Sequence, residues 1–440
     1  MQKISSQKIC EIVGSKSKVI AVEIENIVTD SRKIKSGDLF IAIKGDKNDG
    51  HDYVADVITK GASVVIVEHL VDNIPTEKQI VVENSVEAYG KLGAYNRQLY
   101  KGIVIGLTGS AGKTTTKEEI KFVLSNFGKV YATTGNFNNH IGVPDTLCNI
   151  DTDADYVIVE MGMSAKGEIE TLVSYVKPDV AIVTNVYPMH IEFFKEFKEI
   201  AEAKAEIFTS LKNGGIAIIN QDTNFADILE RRAIENKAKV IKFGKNNHVK
   251  AELKLQDNGE HNYYNAWCVL ALVSELGLSI DKASLYLSEF KALAGRGAKY
   301  TLNLPDNNKY TLIDDSYSGQ PEAMILAIRA LDKMNGEGRK IAVLGKMAEL
   351  GNTSQKRHIE IGEEVAKTSI DVVIGICPEM KDMLEQIPDT KEKYYFENKE
   401  GLDEFLINKL LQNNDIVLIK GARYSSKLYQ VAESLLKKGK

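Results

Sequence analysis

Cysteine is scarce in this chain: four among 440 residues, at Cys10, Cys148, Cys268 and Cys377, with no C-x-x-C pair. That scatter argues against a disulfide framework or a cysteine zinc site and suits a reducing compartment. No apolar run approaches the roughly 18 residues that a membrane helix needs. The opening Met1-Gln2-Lys3-Ile4-Ser5-Ser6 has no apolar signal core, so a cytoplasmic protein without membrane insertion is expected. Basic blocks are missing too. With a net charge of −5 and Lys and Glu interspersed, no nucleic-acid partner is expected, and an anionic substrate must be met by local cations. No repeat or low-complexity tract interrupts the chain, and its length exceeds the roughly 250–300 residues at which one core stops growing.

What is present is an alternation of strand-like and helix-like runs, which predicts an α/β fold with mainly parallel sheets. Strands are expected at 38–43 and 62–68 around a helix at 52–60. A helix over 87–100 then leads into a strand at 102–107. Further strands are expected at 155–160, 180–186, 214–220 and 240–244, and a long apolar helix at 265–276. After the flexible Ala294-Gly295-Arg296-Gly297, a hairpin (299–304 and 310–314) opens a last part with strands at 340–344, 371–376 and 415–420. The expected division is 1–97, 98–295 and 296–440, the last a doubly wound domain.

Between strand 102–107 and the following helix stands Thr108-Gly109-Ser110-Ala111-Gly112-Lys113-Thr114-Thr115. Small residues let successive amides point at a phosphate, and the helix adds its positive end. Lys113 can reach terminal phosphates and the Thr114 hydroxyl a magnesium ion. The strict G-x-x-x-x-G-K-[ST] pattern is not met, because Leu107 stands at its first glycine. Two turn glycines, a lysine and a threonine run at a strand–helix junction still predict a P-loop parallel sheet that binds a nucleotide.

Other candidates gather at strand ends, where ligands of parallel sheets collect. Glu160 closes an apolar strand. Alone it reads equally as a solvated acid; beside the cradle it becomes a metal ligand. His190 follows the strand at 180–186, and Lys204 falls on a helix, where by itself it reads as a solvated lysine. Ser31, Arg32, Lys44 and His51 form a polar group that can converge on a diphosphate or simply face water. The run Gly135-Asn136-Phe137-Asn138-Asn139-His140-Ile141-Gly142-Val143-Pro144 reads as a substrate-facing loop. Asp314, Lys420 and Arg423 end strands of the last part, where they can close over a nucleotide.

In order from Thr29 to Arg423, these segments resemble the Mur ligase family. Within it they look most like the branch that adds D-alanyl-D-alanine to a UDP-N-acetylmuramoyl-tripeptide, since Glu160-Met161-Gly162, Asp314-Asp315-Ser316-Tyr317 and Val343-Leu344-Gly345 match and no Asp-Asn-Pro-Arg segment occurs. The resemblance implies three domains binding UDP-sugar, ATP and the incoming amine in turn. It makes Ser31, Arg32, Lys44 and His51 UDP contacts, and adds Asn138 and Asn139 to the substrate side. It sets Asn265, Arg296 and Asp314 on the nucleotide. It assigns Thr114, Glu160, His190 and Lys204 to magnesium, with two sites and Lys204 carbamylated. Lys420 and Arg423 sit where the third domain closes. Ser318-Gly319-Gln320, Lys346 and Ala422 depart from the family's usual residues, all in the third domain. A monomer is expected.

The implied reaction is an ATP-dependent carboxylate–amine ligation through an acyl phosphate, in peptidoglycan synthesis, releasing ADP and phosphate. Two rivals stand beside it. One is a related ligase, of Mur or folate type, that adds a different amine. The other is a nucleotide-switched binding protein, which would release phosphate without needing both co-substrates.

Overall fold

The computed structural model describes residues 3–189, 191–247, 249–256 and 259–439. Its strands are β1 (Ile4–Ser5), β2 (Glu23–Ile24), β3 (Ile27–Val28), β4 (Leu39–Ile41), β5 (Val64–Val67) and β6 (Gln79–Val81). There follow β7 (Ile103–Thr108), β8 (Val130–Ala132), β9 (Tyr156–Glu160), β10 (Val180–Val183), β11 (Ile216–Asn220) and β12 (Lys239–Phe243). The last are β13 (Ala298–Asn303), β14 (Lys309–Asp315), β15 (Lys340–Gly345), β16 (Val372–Ile376), β17 (Glu392–Phe396) and β18 (Ile416–Lys420).

Three larger sheets form from consecutive stretches of chain. The first, in the order β3-β4-β5-β6, is parallel throughout. The second, β12-β11-β10-β7-β9-β8, is also wholly parallel. Its central strands β7, β9 and β10 are apolar on both faces because helices cover both. Val104, Val157, Val159 and Val183 point into one core, whereas Ile105, Leu107, Ile158 and Ile182 point into the other. Each such side chain removed from water is worth about 1.5–3 kcal/mol.

The third sheet runs β13-β14-β18-β15-β16-β17. Its edge is the expected hairpin, with Lys299 opposite Ile313 and Leu302 opposite Tyr310, and the other pairings are parallel. Short edge strands escape the sequence reading: β8 and β17 are only half-buried along most of their length, so neither carries a continuous apolar run.

The helix Ser85–Leu99 leads from the first sheet towards the second. Its Tyr89 hydroxyl donates to Asp145, Asn96 donates to the Leu147 carbonyl, and Arg97 donates to the Val176 carbonyl. Those polar contacts tie it to the central sheet's helices while its apolar residues serve the first core.

Candidate active site

β7 sits between β10 and β9, and its carboxyl end opens into the cradle. Gly109 has φ +154°, and a Cβ there would lie 1.9 Å from Thr184 Oγ1; Gly112 has φ +77°. Only glycine takes both the close approach and the left-handed turn without strain. The segment after β10 then fixes the loop. Asn185 Oδ1 accepts from the Ala111 amide at 2.8 Å, and Thr184 Oγ1 donates to the Ala111 carbonyl at 2.8 Å. These two residues went unnoticed in the sequence, although a Thr-Asn pair directly after an apolar strand is a usable signal.

Lys113 folds back over the loop and donates to the Gly109 carbonyl at 2.8 Å. Burial lowers its pKa from the ordinary lysine value, the Glu160 carboxylate opposes this, and Arg296 adds to it. Thr108 is buried beneath the loop rather than on the cavity wall, while Ser110 to Thr116 line the cavity.

Glu160 is fully buried, not solvated. Its Oε1 accepts from Thr114 Oγ1 at 3.1 Å and from Asn138 Nδ2 at 2.8 Å. Its Oε2 is buried with no hydrogen-bond partner. A buried carboxylate oxygen left open is costly, and beside a hydroxyl oxygen it offers the hard oxygen donors that magnesium prefers. The residues present therefore fit a magnesium ion completed by substrate phosphates. Asn139 turns elsewhere: its Oδ1 accepts from the amides of Ile141 and Gly142.

Lys204 is not the solvated helix lysine that the residue by itself suggests. The helix Phe197–Ala205 buries it to 2% exposure. Burial, with the Lys113 ammonium adding to it, holds its amine well below the ordinary lysine value. A neutral amine is the form that reacts with carbon dioxide. His190 lies outside the described residues.

A cavity of about 590 Å³ joins the cradle to the carboxyl ends of the third sheet, with Asn265, Arg296, Asp315, Tyr317, Lys420 and Arg423 among its walls. Asn265 Oδ1 accepts from Thr116 Oγ1 at 3.2 Å. Asp314 differs from expectation. Its Oδ2 accepts from the Gly295 amide at 2.8 Å and its Oδ1 from Ser316 Oγ at 2.6 Å, so it anchors the turn before β13. Successive strand side chains face opposite ways, and Asp315 is the one on the cavity. There it pairs with Lys420 at 2.6 Å. Two guanidinium groups approach the Tyr317 ring, Arg296 at 4.0 Å and Arg423 at 5.5 Å from its centre.

Of the departing residues, Lys346 pairs with Glu379 from the neighbouring strand end. Ala422 packs at Gly319, where an added Cβ would meet the Ala422 amide.

In the first unit, Ser31, Arg32, Lys44 and His51 do not line this cavity. Arg32 is exposed and closed onto Asp30 at 2.8 Å. The Ser31 carbonyl accepts from Lys60, and Lys44 is exposed beside its backbone bridge to Asp49. His51 is buried: Nδ1 lies 2.6 Å from Asp49, Nε2 accepts from the Glu68 amide at 2.9 Å, and its ring stacks on His69.

Comparison with known proteins decides the lineage. The Mur ligase family catalytic domain matches residues 23–98, the Mur ligase middle domain residues 107–267, and the Mur ligase glutamate ligase domain residues 303–423. A UDP-N-acetylmuramoyl-tripeptide–D-alanyl-D-alanine ligase from Rickettsia prowazekii is 34% identical, over 92% of this chain and 95% of its own. This chain belongs to the Mur ligase family. The crystal structure of MurF from Acinetobacter baumannii superposes with a TM-score of 0.90 at 30% identity, covering 100% of both chains. MurF ligase from Thermotoga maritima, solved with ADP, gives 0.80 at 29% identity over 94% of this chain and 97% of that one. As a member of this family, the chain is an ATP-dependent ligase that uses magnesium.

Proposed function

We propose that this chain joins D-alanyl-D-alanine to the terminal carboxylate of a UDP-N-acetylmuramoyl-tripeptide in peptidoglycan synthesis. Its free, buried thiols suit the cytoplasm, where it works as a monomer. The observation that carries this reading is the Thr114–Glu160–Asn138 contact, which brings the phosphate cradle and the substrate-facing loop to one buried carboxylate. Relatives bearing that activity match nearly the whole chain.

A carboxylate must be activated before an amine can displace one of its oxygens. Its oxygen attacks the terminal phosphorus of ATP, ADP leaves, and an acyl phosphate results. The amine nitrogen then attacks the carbonyl carbon, phosphate departs, and the nitrogen loses a proton. The amides of the cradle bind the phosphates, and Lys113 exchanges the Gly109 carbonyl for phosphate oxygens. Thr114 and Glu160 hold magnesium, which when bound spreads the charge of the transferring phosphoryl group. Lys204, as a carbamate, and His190 serve a second magnesium site. Arg296 and Asn265 hold the nucleotide, with Asp315 on the cavity wall where Asp314 was expected. Arg423 and Lys420 close the amine side, and water is kept out by the third sheet's approach. Ser31, Arg32, Lys44 and His51 serve the UDP end.

ADP release tests this directly. It should require the UDP-muramoyl-tripeptide, and amide formation should require the dipeptide as well. Brisk phosphate release with ATP alone would favour a nucleotide switch instead.

A further inference from the structure

One helical turn beyond Lys113, the cradle helix buries a second lysine that the phosphate chemistry does not use. Lys117 is 0% exposed and lies off the cavity wall. Its ammonium donates to the Thr133 carbonyl at 2.7 Å and the Gly135 carbonyl at 2.5 Å. It is 2.9 Å from Glu118 Oε1 and 3.8 Å from Glu160 Oε2, the oxygen that lacks a hydrogen-bond partner.

A buried ammonium is expensive, and an apolar side chain of similar volume is often no less stable in such a place. The contacts at the other end of the loop show what the charge accomplishes. The Glu160 amide donates to Thr133 Oγ1 at 3.1 Å, Asn138 donates to Glu160 Oε1, and the Gly162 amide donates to the Asn138 carbonyl at 2.8 Å. Lys117 thus joins three pieces of chain: the cradle helix, the end of β9, and the segment that presents Asn136 and Asn138 to the cavity.

We propose that Lys117 is a positioning residue for ligation: its ammonium clamps Thr133 and Gly135 to Glu160 and so registers the 133–138 loop on the phosphate cradle. The inference rests on the ligase reading above. The clamp acts on alignment of the carboxylate with the phosphates; the cradle amides and Lys113 capture the nucleotide, and the loop is coupled to that end through Glu160 Oε1, which both Thr114 and Asn138 contact. Misplacement of a reacting group by a fraction of an ångström to one ångström costs rate far more than affinity.

The test compares the wild-type chain with Lys117→Met, which keeps the length and loses the charge. Expected is a fall in kcat of about tenfold or more per folded molecule, with the KM for ATP within about twofold. A filler role predicts lower thermal stability with an unchanged kcat. In parallel, hydrogen exchange of amides 133–138 is followed in the wild-type chain with and without magnesium and a non-hydrolysable ATP analogue; nucleotide should slow it. That second arm needs no variant to fold. A wild-type kcat in Lys117→Met, or loop exchange indifferent to the nucleotide, overturns the inference. Failure of the wild-type chain to form amide overturns the ligase reading instead.

Discussion

Arg296 donates from Nη2 to Thr114 Oγ1 at 3.1 Å, so the turn leading into the third sheet touches the hydroxyl that faces Glu160. Its guanidinium carbon also sits 4.0 Å from the centre of the Tyr317 ring. A planar, forked cation can do both at once, and a lysine ammonium cannot. Arg296→Lys should therefore raise the KM for ATP and lower kcat, together costing about tenfold or more in kcat/KM. Steady-state kinetics with varied ATP check this, and unchanged constants would remove Arg296 from the nucleotide site.

Lys113→Ala should keep the fold, because the cradle's shape depends on Gly109, Gly112, Thr184 and Asn185. Ligation should fall by about 10²–10³-fold or more, the usual loss when one charge-stabilising group is removed. Circular dichroism and coupled ADP release measure the two quantities. Retained ligation by well-folded Lys113→Ala would contradict the assignment.

Lys204→Ala should be inactive and should recover in part when short carboxylic acids are added, since these can enter the space that a carbamate on Lys204 would fill. Recovery that fails to appear, or full activity without any additive, would count against a carbamylated lysine. Burial lowers the pKa of this amine well below the ordinary lysine value, the direction that carbamylation needs.

Glu119 is a buried acid on the cradle helix, and burial raises its pKa well above the ordinary value of 4.5. Its Oε2 has no hydrogen-bond partner. A raised native pKa means that the folded chain holds the proton after the unfolded chain has lost it. Below pH 4.5 both states are protonated and no penalty arises. Above it, wild type should lose stability relative to Glu119→Gln by about 1.4 kcal/mol per pH unit, up to the native pKa. Urea unfolding at pH 5 and pH 7.5 reads the difference, and parallel stability curves for the two proteins would refute it.

The cradle was legible because its chemistry is local: glycines, lysine and threonine at fixed spacing after an apolar strand specify one loop. The third sheet's hairpin was equally plain, from its polar turn between two alternating runs. Lys204 and Glu160 were not legible alone, since burial comes from distant helices and sheet order rather than from neighbours in sequence. Sequence does not say which face of β14 meets the cavity, and that face carries Asp315 rather than Asp314. His51 holds Asp49 and the Glu68 amide, and Arg32 holds Asp30, contacts that the residue types alone do not announce. Lys117 is fully buried, although a lysine in a Lys-Glu-rich helix reads as solvated.

The central claim is that a carboxylate energised by ATP is captured by the amine of D-alanyl-D-alanine. Mass spectrometry of the products formed from ATP, magnesium, a UDP-muramoyl-tripeptide and that dipeptide tests it most directly. The account predicts a UDP-muramoyl-pentapeptide, heavier than the tripeptide by the dipeptide less one water, with one ADP for each product formed. Unaltered tripeptide in the presence of folded, nucleotide-binding protein would contradict it.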